Sequence, residues 1–175
     1  DIEEVILHGE QALTSVSPTA VEPLLTRLAA LTKTTDEVLG IYERQVTRCK
    51  SPDDRGAALC RAAEVAFEKK APARVRQFLE IGVQSAGAGE GLLGFIEQVR
   101  SVDGKRASKD LGRALADVLA EVGRSVRDNG RSRAVFLGHA AALAHDHLAA
   151  LDDAYDWLCE ALVAQVDEEH LAQLE

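Results

Sequence analysis

The chain has no methionine, a single tryptophan and a single asparagine, and only 4% of its residues are aromatic. So little aromatic material argues against a β-sandwich, whose interior leans on β-branched and aromatic side chains. A core of Leu, Val and Ala suits helices packed at short distance instead. No stretch approaches the roughly 20 apolar residues that a bilayer-spanning helix needs, and no secretory leader precedes the first helical pattern. The three cysteines, Cys49, Cys60 and Cys159, lack a Cys-x-x-Cys spacing and lie within apolar helical patterns. They are expected to be buried, reduced thiols of a cytoplasmic protein. A chain that begins at Asp1 and lacks methionine is expected to be part of a longer protein, and its wealth of Ala, Arg, Leu, Val and Asp suggests a GC-rich bacterial source.

Basic charge is also scarce, and unevenly so. The net charge is −9, and after Arg133 there is no Lys or Arg at all. Residues 110–175 hold 13 acids against 5 bases, whereas residues 53–109 hold 8 against 10. A phosphate backbone needs a basic stripe that releases counterions, so nucleic acid is excluded as a partner. The acidic C-terminal part reads as a solvated face or, alternatively, as a docking face for something basic.

What the sequence does have, almost without interruption, is helical periodicity. The pattern predicts helices over about 2–14 and 17–31, a third from Thr34 through Val46 and a fourth over about 52–69. A fifth is opened by Pro72 and carries Val75 to Gly82, and a sixth runs from Leu92 to Val99, stopped by Asp103-Gly104. A seventh spans about 107–127, an eighth runs from Ala134 to Ala144 and a ninth spans about 152–166, with a last short one beginning near Asp167. Ser51-Pro52 supplies an N-cap and a proline at the first helical position, and Thr34 with Glu37 has the spacing of a capping box. The expected core positions include Leu59, Ala62, Ala63 and Ala66 on one helix and Val75, Phe78, Leu79 and Gly82 on the next. On the ninth helix they are Ala154, Tyr155, Leu158 and Leu162. The connections are short enough to make sequential helices antiparallel neighbours.

The chain also repeats itself. Arg55–Ala63 lies over Arg133–Ala141 at an offset of 78, which aligns Arg with Arg, Leu59 with Leu137 and Ala62-Ala63 with Ala140-Ala141. Glu68 then falls over Asp146. One additional residue in the second copy brings Val75, Phe78, Leu79 and Gly82 over Ala154, Trp157, Leu158 and Ala161. Each copy holds about four helices, so the unit is a hairpin of about 39 residues, a period in the range of helical repeat proteins. A stacked array repeats its core in this way because each hairpin buries its face only against its neighbours.

These positions resemble the tetratricopeptide repeat family. Leu59, Ala62-Ala63 and Ala66, and again Leu137, Ala140-Ala141 and Ala144, match the apolar spacing of that family's first helix. Ala154, Leu158 and Ala161 match its second helix, as do Val75, Leu79 and Gly82 with Val in a small-residue slot. Lys70 and the stretch near Ala149 stand where the family usually places glycine, and the proline expected after the second helix is missing near Gly87 and Val166. The resemblance implies an all-α domain over 1–175, a right-handed α-solenoid of about four to five antiparallel hairpins. It further implies a partner-binding groove lined by the first helices, here Cys60, Glu64 and Phe67 in one copy and Gly138, Ala142 and His145 in the other.

Other motifs carry less. Gly89-Glu90-Gly91-Leu92-Leu93-Gly94 formally matches a dinucleotide fingerprint, but that chemistry needs a preceding strand, and a helix precedes it here. His139, His145, Asp146 and His147 cluster in sequence, but His145 and His147 point about 200° apart and only His139 and Asp146 share a face. These are too few ligands for a metal site, and neither HExxH nor Glu-x-x-His occurs. Asp152, Asp153, Asp156 and Glu160 suit a solvated helix start favoured by the dipole. Trp157, over Phe78 in the repeat, is expected in core or inter-repeat packing, with an exposed anchor for a partner as the alternative. The expectation is therefore a non-catalytic scaffold that binds a protein or peptide, with no metal, cofactor, nucleic acid or membrane. The alternative is a structural spacer in a longer solenoid, whose cut ends would expose apolar surface and could self-associate.

Overall fold

The computed structural model describes residues 34–172 together with Pro23 and Arg27. The helix expected over 2–14 lies outside the described residues, as does most of that over 17–31, although Pro23 and Arg27 are helical. Among the described residues there are helices and no strand: α1 (Thr35–Arg48), α2 (Pro52–Glu68), α3 (Pro72–Ala86), α4 (Glu90–Arg100), α5 (Lys105–Ser125), α6 (Gly130–Leu143) and α7 (Leu151–Ala172). The all-α expectation is met. One boundary is not, because no helix starts at Asp167; α7 runs through it to Ala172. Neither Gly nor Pro interrupts Val166–Glu169, so nothing in the backbone ends the helix there.

Local chemistry accounts for the starts. The Thr34 hydroxyl accepts from the Glu37 N–H at 3.3 Å while the Glu37 carboxylate accepts from the Thr34 N–H at 3.2 Å, completing the predicted capping box. Ser51 Oγ accepts from the Asp54 N–H at 3.0 Å, with Pro52 as the first helical residue. Asn129 Oδ1 does the same for the Ser132 N–H at 2.8 Å.

Each helix packs on the next, and α2 and α3 are joined by α4 and α5 in one continuous core. Leu59, Leu79, Leu92, Leu111, Leu115, Leu119 and Leu137 are fully buried within it. Odd-numbered helices are also cross-tied by surface ion pairs. Arg74 on α3 reaches Glu43 on α1 at 2.8 Å. Arg76 on α3 pairs with Glu121 on α5. Arg113 and Arg124 on α5 pair with Asp153 and Glu160 on α7. Half-exposed pairs of this kind each contribute about 0–1 kcal/mol, so they set register rather than hold the fold.

The two sequence copies share an unusual detail. Lys70 (φ 56°) and Ala149 (φ 55°) are the only non-glycine residues at positive φ among the described residues, and they stand at equivalent points, 149 − 70 = 79. Both occupy the left-handed conformation that glycine adopts without penalty at a helix C-terminus. The same hydrogen bond spans both turns, Ala71 N–H to the Ala66 carbonyl and Ala150 N–H to the Ala144 carbonyl, each 2.9 Å. The offset is 144 − 66 = 78 at the acceptor and 150 − 71 = 79 at the donor. The additional residue of the second copy is therefore absorbed inside this turn, where α6 widens into a π-helical turn over Ala144–Leu148. Single inserted residues characteristically appear as such π-bulges.

The widened turn turns His147 onto the start of α5. Its Nε2–H donates to the Ser108 carbonyl at 3.2 Å, and the buried Ser108 hydroxyl donates to the Arg100 carbonyl at 3.0 Å. A Cβ on Gly112 would lie 2.8 Å from His147 Cδ2, so a bare backbone is needed there for the ring to dock.

The two left-handed residues give a direct test. Lys70→Gly and Ala149→Gly should each stabilise the fold by about 0.5–1 kcal/mol, the left-handed penalty less the extra freedom glycine gives the unfolded chain. The sites are far apart in the chain and share no partner, so the double variant should approach the sum in urea unfolding. Destabilisation by either single variant would show that the backbone at that residue is held by its side chain.

Candidate functional site

The six groove positions inferred from the repeat fall on α2 and on the α6 segment. Cys60 is buried, and burial pushes its thiol up to about 12, with Glu64 adding to the effect and Arg61 opposing it. Glu64 is partly buried and paired with Arg61 one turn away. Phe67 is half-buried against the core and lines a shallow open cleft of about 790 Å³ with Glu68, Val75, Arg106 and Asp110. The second set is more open. A Cβ built on Gly138 meets no heavy atom within 4 Å, and Ala142 and His145 are exposed. His145 Nδ1 lies 2.6 Å from Asp146 Oδ1.

The difference between the copies has a visible cause. On α2, α4 lies over the repeat face: a Cβ on Gly56 would lie 3.4 Å from Gln98 and 3.7 Å from Phe95. The equivalents of Gly56, Cys60 and Glu64 on α6 are Ala134, Gly138 and Ala142, and among the described residues no helix packs over Gly138 as α4 packs over α2.

The same asymmetry appears on α7 and corrects the expected core. Its buried face is Ala154, Trp157, Ala161 and Ala164. Tyr155, Leu158 and Leu162, expected inward, are exposed at 69%, 49% and 55%. Leu151 and Val166 extend that stripe at 62% and 53%. Spacings of four, three, four and four residues place all five on one side of the helix, rotated roughly 120° from the buried face at 100° per residue. Trp157 is in the core as expected. Cys159, expected to be buried with the other two cysteines, is exposed, because it follows Leu158 at the edge of the open stripe.

The acids of α7 divide between two tasks. Asp153 and Glu160 turn toward α5. Arg124 binds the Glu160 carboxylate with two nitrogens, at 2.9 and 2.5 Å, and this hydrogen bonding holds Glu160 below the usual carboxylate range. Asp152 and Asp156 are exposed on the side of α7 between the apolar stripe and the acids that face α5.

No family matches this chain, and neither a curated protein nor a solved structure does. What the surfaces can do follows from their chemistry alone. Among the described residues there is no group of three or more His, Cys, Asp or Glu placed to hold a metal ion. Burial lowers the pKa of His139, which sits half-buried on α6 away from the exposed His145–Asp146 pair. The Gly89–Gly94 run forms a turn and the first part of α4, with Gly89 as N-cap and α3 before it. Beside it, Gly56, Gly82, Gly94 and Phe95 line a cleft of only about 40 Å³, little more than the room one water needs. Among the described residues no helix is long and apolar enough to cross a membrane. The apolar stripe of α7 and the small-residue face of α6 are two chemically distinctive open surfaces among the described residues.

Signals for this site were present in the sequence but ambiguous. Leu151, Tyr155, Leu158 and Leu162 carry helical spacing, and so do Ala154, Trp157, Ala161 and Ala164. Helical spacing alone does not decide which of two apolar faces on one helix packs on its neighbour.

Proposed function

We propose that this chain is a non-catalytic scaffold module of the tetratricopeptide-like kind, a right-handed α-solenoid of antiparallel hairpins that holds protein partners. The observation that carries this reading is the paired geometry of the two copies. The left-handed Lys70 and Ala149 turns close with the same Ala71-to-Ala66 and Ala150-to-Ala144 hydrogen bonds. Repeated hairpins that present successive faces are suited to holding other chains. Proximity labelling with the full chain, followed by titration of the recovered proteins, tests the reading. A partner that binds at micromolar or tighter affinity, and to which the chain adds no turnover, is expected. If no protein binds at any face, the scaffold reading falls.

A second reading, a spacer within a longer solenoid, is favoured by the open apolar stripe on α7. A spacer would leave that face for the next hairpin and would bind no separate protein. The same titration separates the two.

A further inference from the structure

We propose that the apolar stripe of α7, with the open small-residue face of α6, is the seat of an amphipathic helix from another protein, one that carries Lys or Arg along the edge of its apolar side. The proposal rests on the scaffold reading and adds the chemistry of the partner.

The internal repeat indicates what covers such a face. Leu158 and Leu162 are the counterparts of Leu79 and Val83 on α3, at an offset of 79. Leu79 and Val83 are 0% exposed, on a helix that packs against α4 and α5. Leu158 and Leu162 are about half exposed, and so are Leu151, Tyr155 and Val166 along a stripe about 22 Å long at 1.5 Å rise per residue. A contiguous apolar face of this length marks a contact surface rather than the scattered leucines of an ordinary exterior. The small-residue face of α6 agrees: Cys60 on α2 is buried, whereas a Cβ built on its counterpart Gly138 meets nothing within 4 Å. The molecule thus carries one occupied and one empty version of the same helix seat.

Charge selects the occupant. Arg76 on α3, whose counterpart on α7 is Tyr155, pairs with Glu121 on α5. On α7 the exposed charges nearest the stripe are acidic, Asp152 about 80° and Asp156 about 120° from its centre at 100° per residue, and no Lys or Arg follows Arg133. A second copy of α7 would bring a further set of acids and no Lys or Arg, because none follows Arg133. Like charges across a contact cost affinity, whereas a basic border on the incoming helix supplies the attraction that α5 supplies with Arg113 and Arg124 on the other side.

The test uses the full chain and two fluorescein-labelled peptides of about 18 residues, long enough to span the stripe. One has leucines at helical spacing bordered by lysines; the other has glutamate in place of each lysine. The lysine peptide should bind at least about tenfold more tightly than the glutamate peptide. Leu158→Gln with Leu162→Gln, both exposed and so without effect on folding, should weaken it at least about tenfold. Asp152→Asn with Asp156→Asn should narrow the gap between the peptides. Alkylation of the exposed Cys159 should slow when the lysine peptide is bound. Equal binding of both peptides, or binding unchanged by the leucine variants, would overturn the proposal while leaving a scaffold that binds elsewhere. A dimer in sedimentation that the same leucine variants dissolve would overturn it in favour of a second copy.

Discussion

Gly82→Ala should destabilise the protein by about 3 kcal/mol, at the upper end of what overpacking a core costs. Alanine is the better helix former by about 1 kcal/mol, so the expected sign runs against propensity and rests on space alone. Gly82 lies in the middle of α3, and a Cβ there would stand 2.2 Å from Phe95 Cζ and 2.6 and 2.8 Å from the two Cε atoms. The ring has little room to yield. Phe95 is buried, and its other side lies 3.7 Å from where a Cβ on Gly56 would be. Methyl and ring cannot share the site, so α3 and α4 must separate and open the junction that buries Leu79, Leu92 and Val99. For a chain of this length the loss corresponds to a midpoint roughly 6–12 °C lower in thermal unfolding.

Two controls make the attribution specific. Gly94→Ala and Gly138→Ala introduce the same methyl group into helices where nothing lies within 4 Å. Both should stabilise by about 0.5–1 kcal/mol through propensity. Gly82→Ala combined with Phe95→Leu should cost less than the two single losses added together, because the leucine removes the atoms that the methyl would strike. A Gly82→Ala protein as stable as its parent would show that Phe95 has another rotamer available and that the close packing of α3 on α4 is not required.

The contrast between these glycines shows where the sequence was informative. Helix existence was legible because Leu, Val and Ala recur at helical spacing from Val38 to Ala164, and because Thr34, Ser51 and Pro52 mark starts by their own chemistry. The repeat was legible because a core position in one hairpin must be filled like its counterpart in another. Gly82 and Gly138 both read as small residues, yet one is pressed against a phenyl ring and the other faces open space. Which neighbour arrives is a tertiary fact. The same limit applies to the candidate site. Cys60 and Gly138 are equivalent in the repeat, but α4 and its neighbours close over one while nothing closes over the other. On α7 the sequence offered two apolar stripes, and expecting Leu158 and Leu162 inside followed from their helical spacing, which both stripes share. The structure buries the alanines and Trp157 instead, since small residues let α7 approach α6 closely while one large ring fills what remains. The additional residue near 145 was visible as a shift in offset from 78 to 79. Its form, a π-helical turn that presses His147 onto Ser108 and Gly112, was not, because a one-residue insertion can equally lengthen a loop.

Trp157→Ala should cost about 3–4 kcal/mol, the range for removing a large buried aromatic side chain, and the loss should be local before it is global. Trp157 is the counterpart of Phe78 and, among the described residues, the one large side chain on the buried face of α7, with Ala154, Ala161 and Ala164 the other buried residues of that face. The guanidinium of Arg113 lies over its ring, 5.9 Å from the centroid, and the same Arg113 bonds Asp153. Removing the indole therefore empties the contact with α6 and withdraws the surface on which a cross-tie to α5 rests. Phe78 is flanked by covering helices, whereas α7 has one side open, so its detachment needs no opening of the α2–α4 core. Hydrogen exchange should show α6 and α7 losing protection while α2, α3 and α4 keep theirs. Trp157→Phe, which retains most of the ring volume, should cost less than about 1.5 kcal/mol. Leu158→Ala, one residue away but on the exposed stripe, should change stability by less than about 0.5 kcal/mol. Uniform loss of protection along the whole chain in Trp157→Ala would mean that α7 and the α2–α4 core unfold as one unit. A large cost for Leu158→Ala would mean that the stripe is already covered within the chain, leaving no seat for a partner helix.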